Sequence, residues 1–307
     1  MAALLKIWHL LDILFPERPV FVRRLPIWQS LLIFAGLTAL FSLVGSFLPA
    51  NGFIGFDWVN FFSIHRITSF HPPWTIFAVA PLTWPLLVGL TLSSVTLAII
   101  LRSNHPLSAA AALLCLPVLW TVFLGQLEGL VLLGLLGLPW LAPLALIKPQ
   151  VSFFAFGARR SYLIALVLVL GVSLLIWGPW PLRMLSVESY YAEGRYPQNI
   201  ALGWWGLPLT LATAWFSRGD LDMLMLSGAF TTPHLIPYNL LPLTPALARL
   251  RPRAALLGCF LSWLPLSANY IGPFGWWLGW FFVAWLWLNL AAQRYPHARF
   301  LAWINKL

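Results

Sequence analysis

The sequence predicts an all-α fold, a polytopic integral membrane helix bundle forming a single transmembrane domain over residues 1–307. Three observations predict it. Of the 307 residues, 61% are hydrophobic and only 8% charged, with a mean hydropathy of +0.85. A soluble domain carries about 25% charge to solvate its surface. The apolar runs are long and continuous, which disfavours the alternating pattern of a transmembrane barrel. The basic residues fall in short clusters between those runs, as the positive-inside rule expects. A backbone in lipid has to satisfy its own hydrogen bonds, so the runs are read as helices.

Each crossing needs about 20 apolar residues, and the chain divides into about nine to ten membrane segments, some broken or half-spanning. Residues 1–25 form a cytoplasmic interfacial segment, where Lys6, His9 and Asp12 recur every third residue among Leu, Ile and Trp. Arg18, Arg23 and Arg24 follow on the same side. A first span covers residues 27–48, and residues 49–71 form an outer loop. Residues 72–101 are too long for one straight span and contain Pro81 and Pro85. They are read as a short helix or half-span followed by a returning span that ends at Arg102.

Residues 107–124 go outward to a turn at Gly125-Gln126, and residues 127–147 return to Lys148, Arg159 and Arg160 on the cytoplasmic side. Residues 162–177 go outward to a second outer loop, 183–203, and residues 205–216 return to Arg218. Residues 221–248 are interrupted by Thr231-Thr232-Pro233-His234. Two half-spans put the cluster Arg249 to Arg253 on the cytoplasmic side, and a single span puts it outside. The charge rule favours the break. The last spans are residues 254–266 and 276–290.

On this layout all but three of the 18 basic residues (Arg66, Arg183 and Arg195) are cytoplasmic. The implied location is the cytoplasmic (inner) membrane, multi-pass, with the N-terminus inside. The net charge of +10 is thereby explained by topology, and nucleic acid is not an expected partner. Cys115 and Cys259 lie in apolar segments and offer no disulfide framework or zinc spacing. There is no phosphate-binding glycine loop, no dinucleotide fingerprint and no metal-ligand cluster, so no cofactor and no metal site is expected.

In so apolar a chain, each ionisable residue near a span is a functional candidate. The outer loops collect most of them. Asp57 is the only carboxylate of its loop, and Phe56 and Trp58 flank it. A carboxylate raised by partial burial suits a general base; the structural alternative is an ion pair with Arg66 or a helix cap. Arg66, His65 and His71 suit a phosphate, with a planar fork and imidazole donors; a headgroup anchor is the alternative for Arg66. Gln126, Glu128 and Asn199 join them as substrate-binding candidates. Gly125 and Gly129 have the spacing of a close helix contact. The 19 tryptophans are read chiefly as interface and packing residues.

Several motifs in order carry a family resemblance. Gly55-Phe56-Asp57-Trp58 lies in the first outer loop, and His71-Pro72-Pro73 is followed by an apolar helix with Ala80-Pro81-Leu82. Gly125-Gln126 opens a later segment that Lys148-Pro149 closes, and Gln198-Asn199 and Thr232-Pro233-His234 come after. Over roughly residues 30–250 the chain resembles the GT-C class of polyprenyl-phosphate-sugar-dependent membrane glycosyltransferases, in its bacterial mannosyltransferase-like branch. The resemblance implies a GT-C-like bundle in which Asp57 activates an acceptor hydroxyl on the outer face. That hydroxyl attacks the donor sugar with inversion, through an oxocarbenium-like transition state. It further implies Arg66, His71, Arg195 and His234 as donors to the leaving lipid phosphate.

The partners implied are a polyprenyl-phosphate-linked sugar and the lipid bilayer. Departures from the pattern are a short chain, compact outer loops, a single acid in the first loop, and His71 where Tyr is usual. They leave open a non-catalytic scaffold or accessory subunit with membrane-protein partners. A transporter using Asp57, Glu128 and Lys148 as pathway charges is a third reading.

Overall fold

Prolines set where many of the helices begin. Pro at the first or second position opens the helices Trp84–Arg102, Pro106–Leu113, Leu116–Leu124 and Pro252–Trp263, where its missing N–H would have had no intrahelical partner anyway. Thr83 Oγ1 accepts from Leu86 N at 3.4 Å, and His105 Nδ1 accepts from Leu107 N at 3.1 Å, capping two of these starts.

The computed structural model describes residues 25–64, 71–183 and 197–298, together with residue 304. The interfacial segment through Arg24 therefore lies outside the described residues, as do His65, Arg66 and Arg195. The described residues contain no strand. Six helices among them are long and apolar enough to cross a membrane: Ile27–Ser46, Trp84–Arg102, Pro106–Leu124, Arg160–Trp177, Pro252–Ile271 and Phe274–Arg294. The protein is an all-α, multi-pass membrane helix bundle. The long residue 72–101 run breaks as expected, into a short helix Thr75–Val79 and the span from Trp84.

Side-chain bonds to backbone define two ends of the bundle. At one end Trp84 Nε1 donates to Leu48 O at 2.9 Å and Gly55 N donates to Phe123 O at 2.7 Å. The close of the first span, the start of the second and the close of the third therefore meet beside Asp57. At the other end Ser108 Oγ donates to Leu250 O at 2.8 Å and Gln293 Nε2 to Arg249 O at 3.0 Å. Between the ends, the kink before Pro117 frees the Leu116 N–H, which donates to Ser262 Oγ of a neighbouring span at 3.1 Å. In lipid that donor needs such a partner.

Residues 127–147 are not the full crossing that the sequence suggests. The helix Glu128–Leu136 has nine residues, about 13 Å at the α-helical rise. Chain containing Gly137 and Pro139 follows, then Ala142–Ala145, and Lys148 arrives 2.6 Å from Glu128 where the segment began. The segment is a re-entrant hairpin, and Lys148 sits at the Asp57 end rather than at the opposite end, where a full crossing would have put it. Descent is completed by Pro149–Ser152 and a 3-10 helix, Phe153–Ala158.

The break in residues 221–248 is present. Leu221–Thr231 is a half-span, and the chain returns as a 13-residue 3-10 helix, Pro237–Arg249. Pro242 and Pro245 inside that helix are incompatible with continuous α-helical bonding. At roughly 2 Å per residue the return covers about 26 Å. The end of the return is clasped to the start of the half-span by ion pairs. Arg249 reaches Asp220 Oδ2 at 2.8 Å and Asp222 Oδ2 at 2.8 Å, and Arg102 reaches Asp222 Oδ1 at 3.0 Å. Asp220 also caps the half-span, its Oδ1 accepting from Asp222 N and Met223 N.

Arg102 and Asp222 are 2% and 0% exposed, so neither charge has water to fall back on. Removing one partner of a buried pair costs about 3–5 kcal/mol. Asp222→Asn is therefore expected to destabilise the detergent-solubilised protein by an amount of that order, read as a lowered thermal midpoint. An unchanged midpoint would remove this cluster as the clasp of the break.

Candidate functional site

A tryptophan between two glycines brings the first loop to the bundle. Gly125 closes the Leu116–Leu124 helix in the left-handed region, with φ of 76°. A Cβ there would lie 2.7 Å from Trp58 Cβ and 2.8 Å from the Trp84 ring, so the position admits only glycine. Gly55, with φ of 71°, meets the same Trp84 ring from the loop side. Gly125 is thus a turn, while Gly129 packs against Thr91 of the Trp84–Arg102 helix. The two glycines do not share one helix face, because the next helix starts only at Glu128.

Asp57 stands at the start of a π-helical turn, Trp58–Phe62, an uncommon conformation found often at functional sites. Its carboxylate makes no capping bond to that turn. Instead Gln126 Nε2 donates to Asp57 Oδ2 at 2.5 Å. Lys148 Nζ donates to Gln126 Oε1 at 2.5 Å and to Glu128 Oε1 at 2.6 Å. Asn239 Nδ2 donates to the same Glu128 oxygen at 2.8 Å, and Asn239 Oδ1 accepts from Ile236 N at 2.9 Å. Lys148 Nζ also lies 4.8 Å from the centre of the Tyr238 ring. Gln126, Glu128 and Lys148 expose only 6%, 2% and 8%, whereas Asp57 remains partly open to the outside.

The electrostatics follow from that arrangement. Burial pushes the Asp57 carboxyl above its ordinary value of 3.8, against the opposing pull of Lys148 and the Gln126 hydrogen bond. His71 is pushed down to about 3 and His234 to about 4, in both cases by burial first and by Lys148 second. Both are neutral imidazoles at neutral pH, so they are N–H donors and not the cations that binding of a phosphate by charge would need. His71 packs edge-on against Phe62, ring centres 5.7 Å apart, and neither of its buried ring nitrogens has a hydrogen-bond partner. Glu128 Oε2 is likewise buried without a partner, and Glu128 lines a small cavity with Lys148, Ser152, Asn239 and Pro242.

Asn199 serves the helix break: its Oδ1 accepts from Leu235 N at 2.8 Å and from Ala201 N at 3.2 Å. Of the sequence candidates, the structure joins Asp57 to Gln126 directly and Gln126 to Glu128 through Lys148, and sets His71 and His234 within the field of Lys148. Asn199 is attached to the loop that carries His234. Lys148, Tyr238 and Asn239 complete the network, and none of them stood among the outward site candidates. Asn239 could have been noticed as a lone amide in an apolar run, but Lys148 was hidden by the assumption of a full crossing.

Beside the network, Trp74 Nε1 donates to Pro143 O at 2.9 Å, anchoring the re-entrant hairpin to the start of the short helix Thr75–Val79. Trp74 and Pro143 form one wall of an apolar groove completed by Leu168, Val172, Ser173, Ile176 and Trp177. Among the described residues no group of three or more His, Cys, Asp or Glu is placed to hold a metal ion. The fold and site together define a multi-pass helix bundle with one buried polar network at one end. No protein-family model, curated protein or solved structure matches the chain.

The depressed His71 sets a pH dependence of stability. Unfolded, the imidazole takes up its proton below its ordinary value of 6.5; folded, it does so only near 3. The unfolded state binds more protons in that window, so stability present above pH 6.5 is lost as the pH falls. His71→Phe is expected to flatten the decline in thermal midpoint between neutral and mildly acidic pH. A variant as acid-sensitive as the parent protein would show that His71 does not carry it.

Proposed function

We propose that the protein is an inverting membrane glycosyltransferase that moves a sugar from a polyprenyl-phosphate donor to an acceptor hydroxyl. Asp57 is its catalytic base. The observation that carries the reading is the state of Asp57. It is a carboxylate raised by burial, held through one oxygen by Gln126, and still partly open to the outside. Its Oδ1 has no hydrogen-bond partner among the described residues and can accept the acceptor's proton. The acceptor oxygen forms the new bond to the anomeric carbon as the bond from that carbon to the phosphate oxygen breaks. The bonding electrons leave with the lipid phosphate, and Asp57 keeps the proton.

His71 supports the reading as an unpartnered N–H donor for a leaving phosphate, with His234 near Lys148 as the second candidate. Arg66, Arg195 and His65 remain candidates from the sequence alone. The apolar groove beside Trp74 suits the hydrocarbon part of a lipid-linked donor. A transport path is less well served. Beyond Asn239 the buried face of the 3-10 helix runs through Leu240, Leu241, Leu243, Ala246 and Leu247 before the Arg249 cluster.

Asp57→Asn is expected to leave the thermal midpoint near that of the parent protein and to abolish transfer from a lipid-phosphate sugar in proteoliposomes. Because the base works only when deprotonated, transfer should fall as the pH drops through the raised value of Asp57. The acidic limb then lies above the ordinary 3.8. Undiminished transfer by the Asn variant would remove the assignment.

A further inference from the structure

Gln126 stands between two groups with opposite and unmixed hydrogen-bonding character. On one side is the Lys148 ammonium, which can only donate. On the other is the Asp57 carboxylate, which when ionised can only accept. A side-chain amide fits between them in one orientation, with Oε1 toward Lys148 and Nε2 toward Asp57, and that is the orientation observed. Turned over, the amide would set N–H against ammonium and carbonyl against carboxylate.

Lys148 is itself fully committed. It donates to Gln126 Oε1 and Glu128 Oε1, and its third side faces the Tyr238 ring. Glu128 Oε1 is held in turn by Asn239, whose own oxygen is fixed by the Ile236 backbone. Nothing in this arrangement leaves the ammonium free to meet a ligand. Its partners are internal, and its charge is matched at 2.6 Å by Glu128.

We infer that Lys148 and Glu128 act as a positioning pair, locking the Gln126 amide so that it always presents an N–H to Asp57. The pair acts through Gln126 rather than on a substrate. The re-entrant hairpin has a reason to return Lys148 to its own starting point, since both members of the pair come from its two ends. Without the lock, the amide could rotate and offer Asp57 a carbonyl, which favours the protonated carboxyl. The consequence for sugar transfer rests on the function proposed above, but the charge state of Asp57 can be measured without it.

Two charged groups act on Asp57 from the elements packed against it, Lys148 lowering and Glu128 raising its titration. Replacing both at once by Lys148→Met with Glu128→Gln removes the larger lowering pull of Lys148 along with the smaller opposing push of Glu128, and a Gln126→Leu background measures what their direct fields alone contribute. The measurement is the pH titration of the protonated-carboxyl infrared band that Asp57→Asn removes, in detergent-solubilised protein. The paired variant is expected to raise the Asp57 midpoint by about one pH unit. On a Gln126→Leu background the same pair should produce a distinctly smaller rise.

Equal shifts on both backgrounds would mean a purely through-space effect and overturn the inference, as would no shift on either. Should the paired variant not give a monodisperse species, Gln126→Leu alone decides. A midpoint unchanged by that substitution shows that the amide transmits nothing to Asp57. A raised midpoint, together with one held near the parent value by Lys148→Arg, supports the lock. These outcomes do not depend on transfer: absent transfer with the expected titrations would sink the glycosyltransferase reading and leave the lock standing.

Discussion

A buried ammonium is the constraint on which the site depends. Lys148 is almost entirely removed from water in a chain that is only 8% charged. A charge so placed persists only when paired and hydrogen-bonded. Glu128 and Gln126 supply that environment from one stretch and the Tyr238 ring from another, where Asn239 also supports Glu128. Satisfying one cation thus draws together the re-entrant hairpin, the first outer loop and the 3-10 return. Burial first and the same field second hold His71 and His234 neutral, and part of that field reaches Asp57.

The opposite end repeats the principle with a different result. There two arginines and two aspartates, Arg102, Arg249, Asp220 and Asp222, pair without leaving a surplus charge. Donors and acceptors are matched, and the cluster joins the second span to both halves of the broken segment. At the Asp57 end the matching is incomplete. Glu128 Oε2 and both His71 nitrogens are buried without partners. Orphaned polar groups of this kind cost stability, whereas all four carboxylate oxygens of the opposite cluster are paired.

Much of the architecture was legible in the sequence. The break at Thr231 to His234 followed from charge: a continuous span would have exposed the arginine cluster on the wrong side, and the ion pairs of Arg249 agree with the reading. The short helix before Trp84 followed from Pro81 and Pro85. Asp57 stood out because it is a lone acid between aromatics. The hairpin was missed for a physical reason. Residues 127–147 have the length and hydropathy of a crossing, and only the contact between Lys148 and Glu128 tells a hairpin from a span. Gly125 and Gly129 do both pack closely, against the Trp84 ring and Thr91, but spacing cannot show that one of them lies in a turn before the helix begins.

The sequence by itself determined that this is a helical membrane protein, which segments are apolar, and that its few charges are the residues to watch. Those conclusions rest on local quantities, namely composition, run length and proline position, which bilayer thickness and backbone hydrogen bonding convert directly into helices. Only the tertiary structure decided which charges meet. Asp57, Gln126, Glu128, Lys148 and Asn239 come from segments up to 182 positions apart, reading from Asp57 to Asn239. Their meeting depends on where the chain turns back inside the membrane, and the burial that sets the charge state of each arises only once all of them are packed.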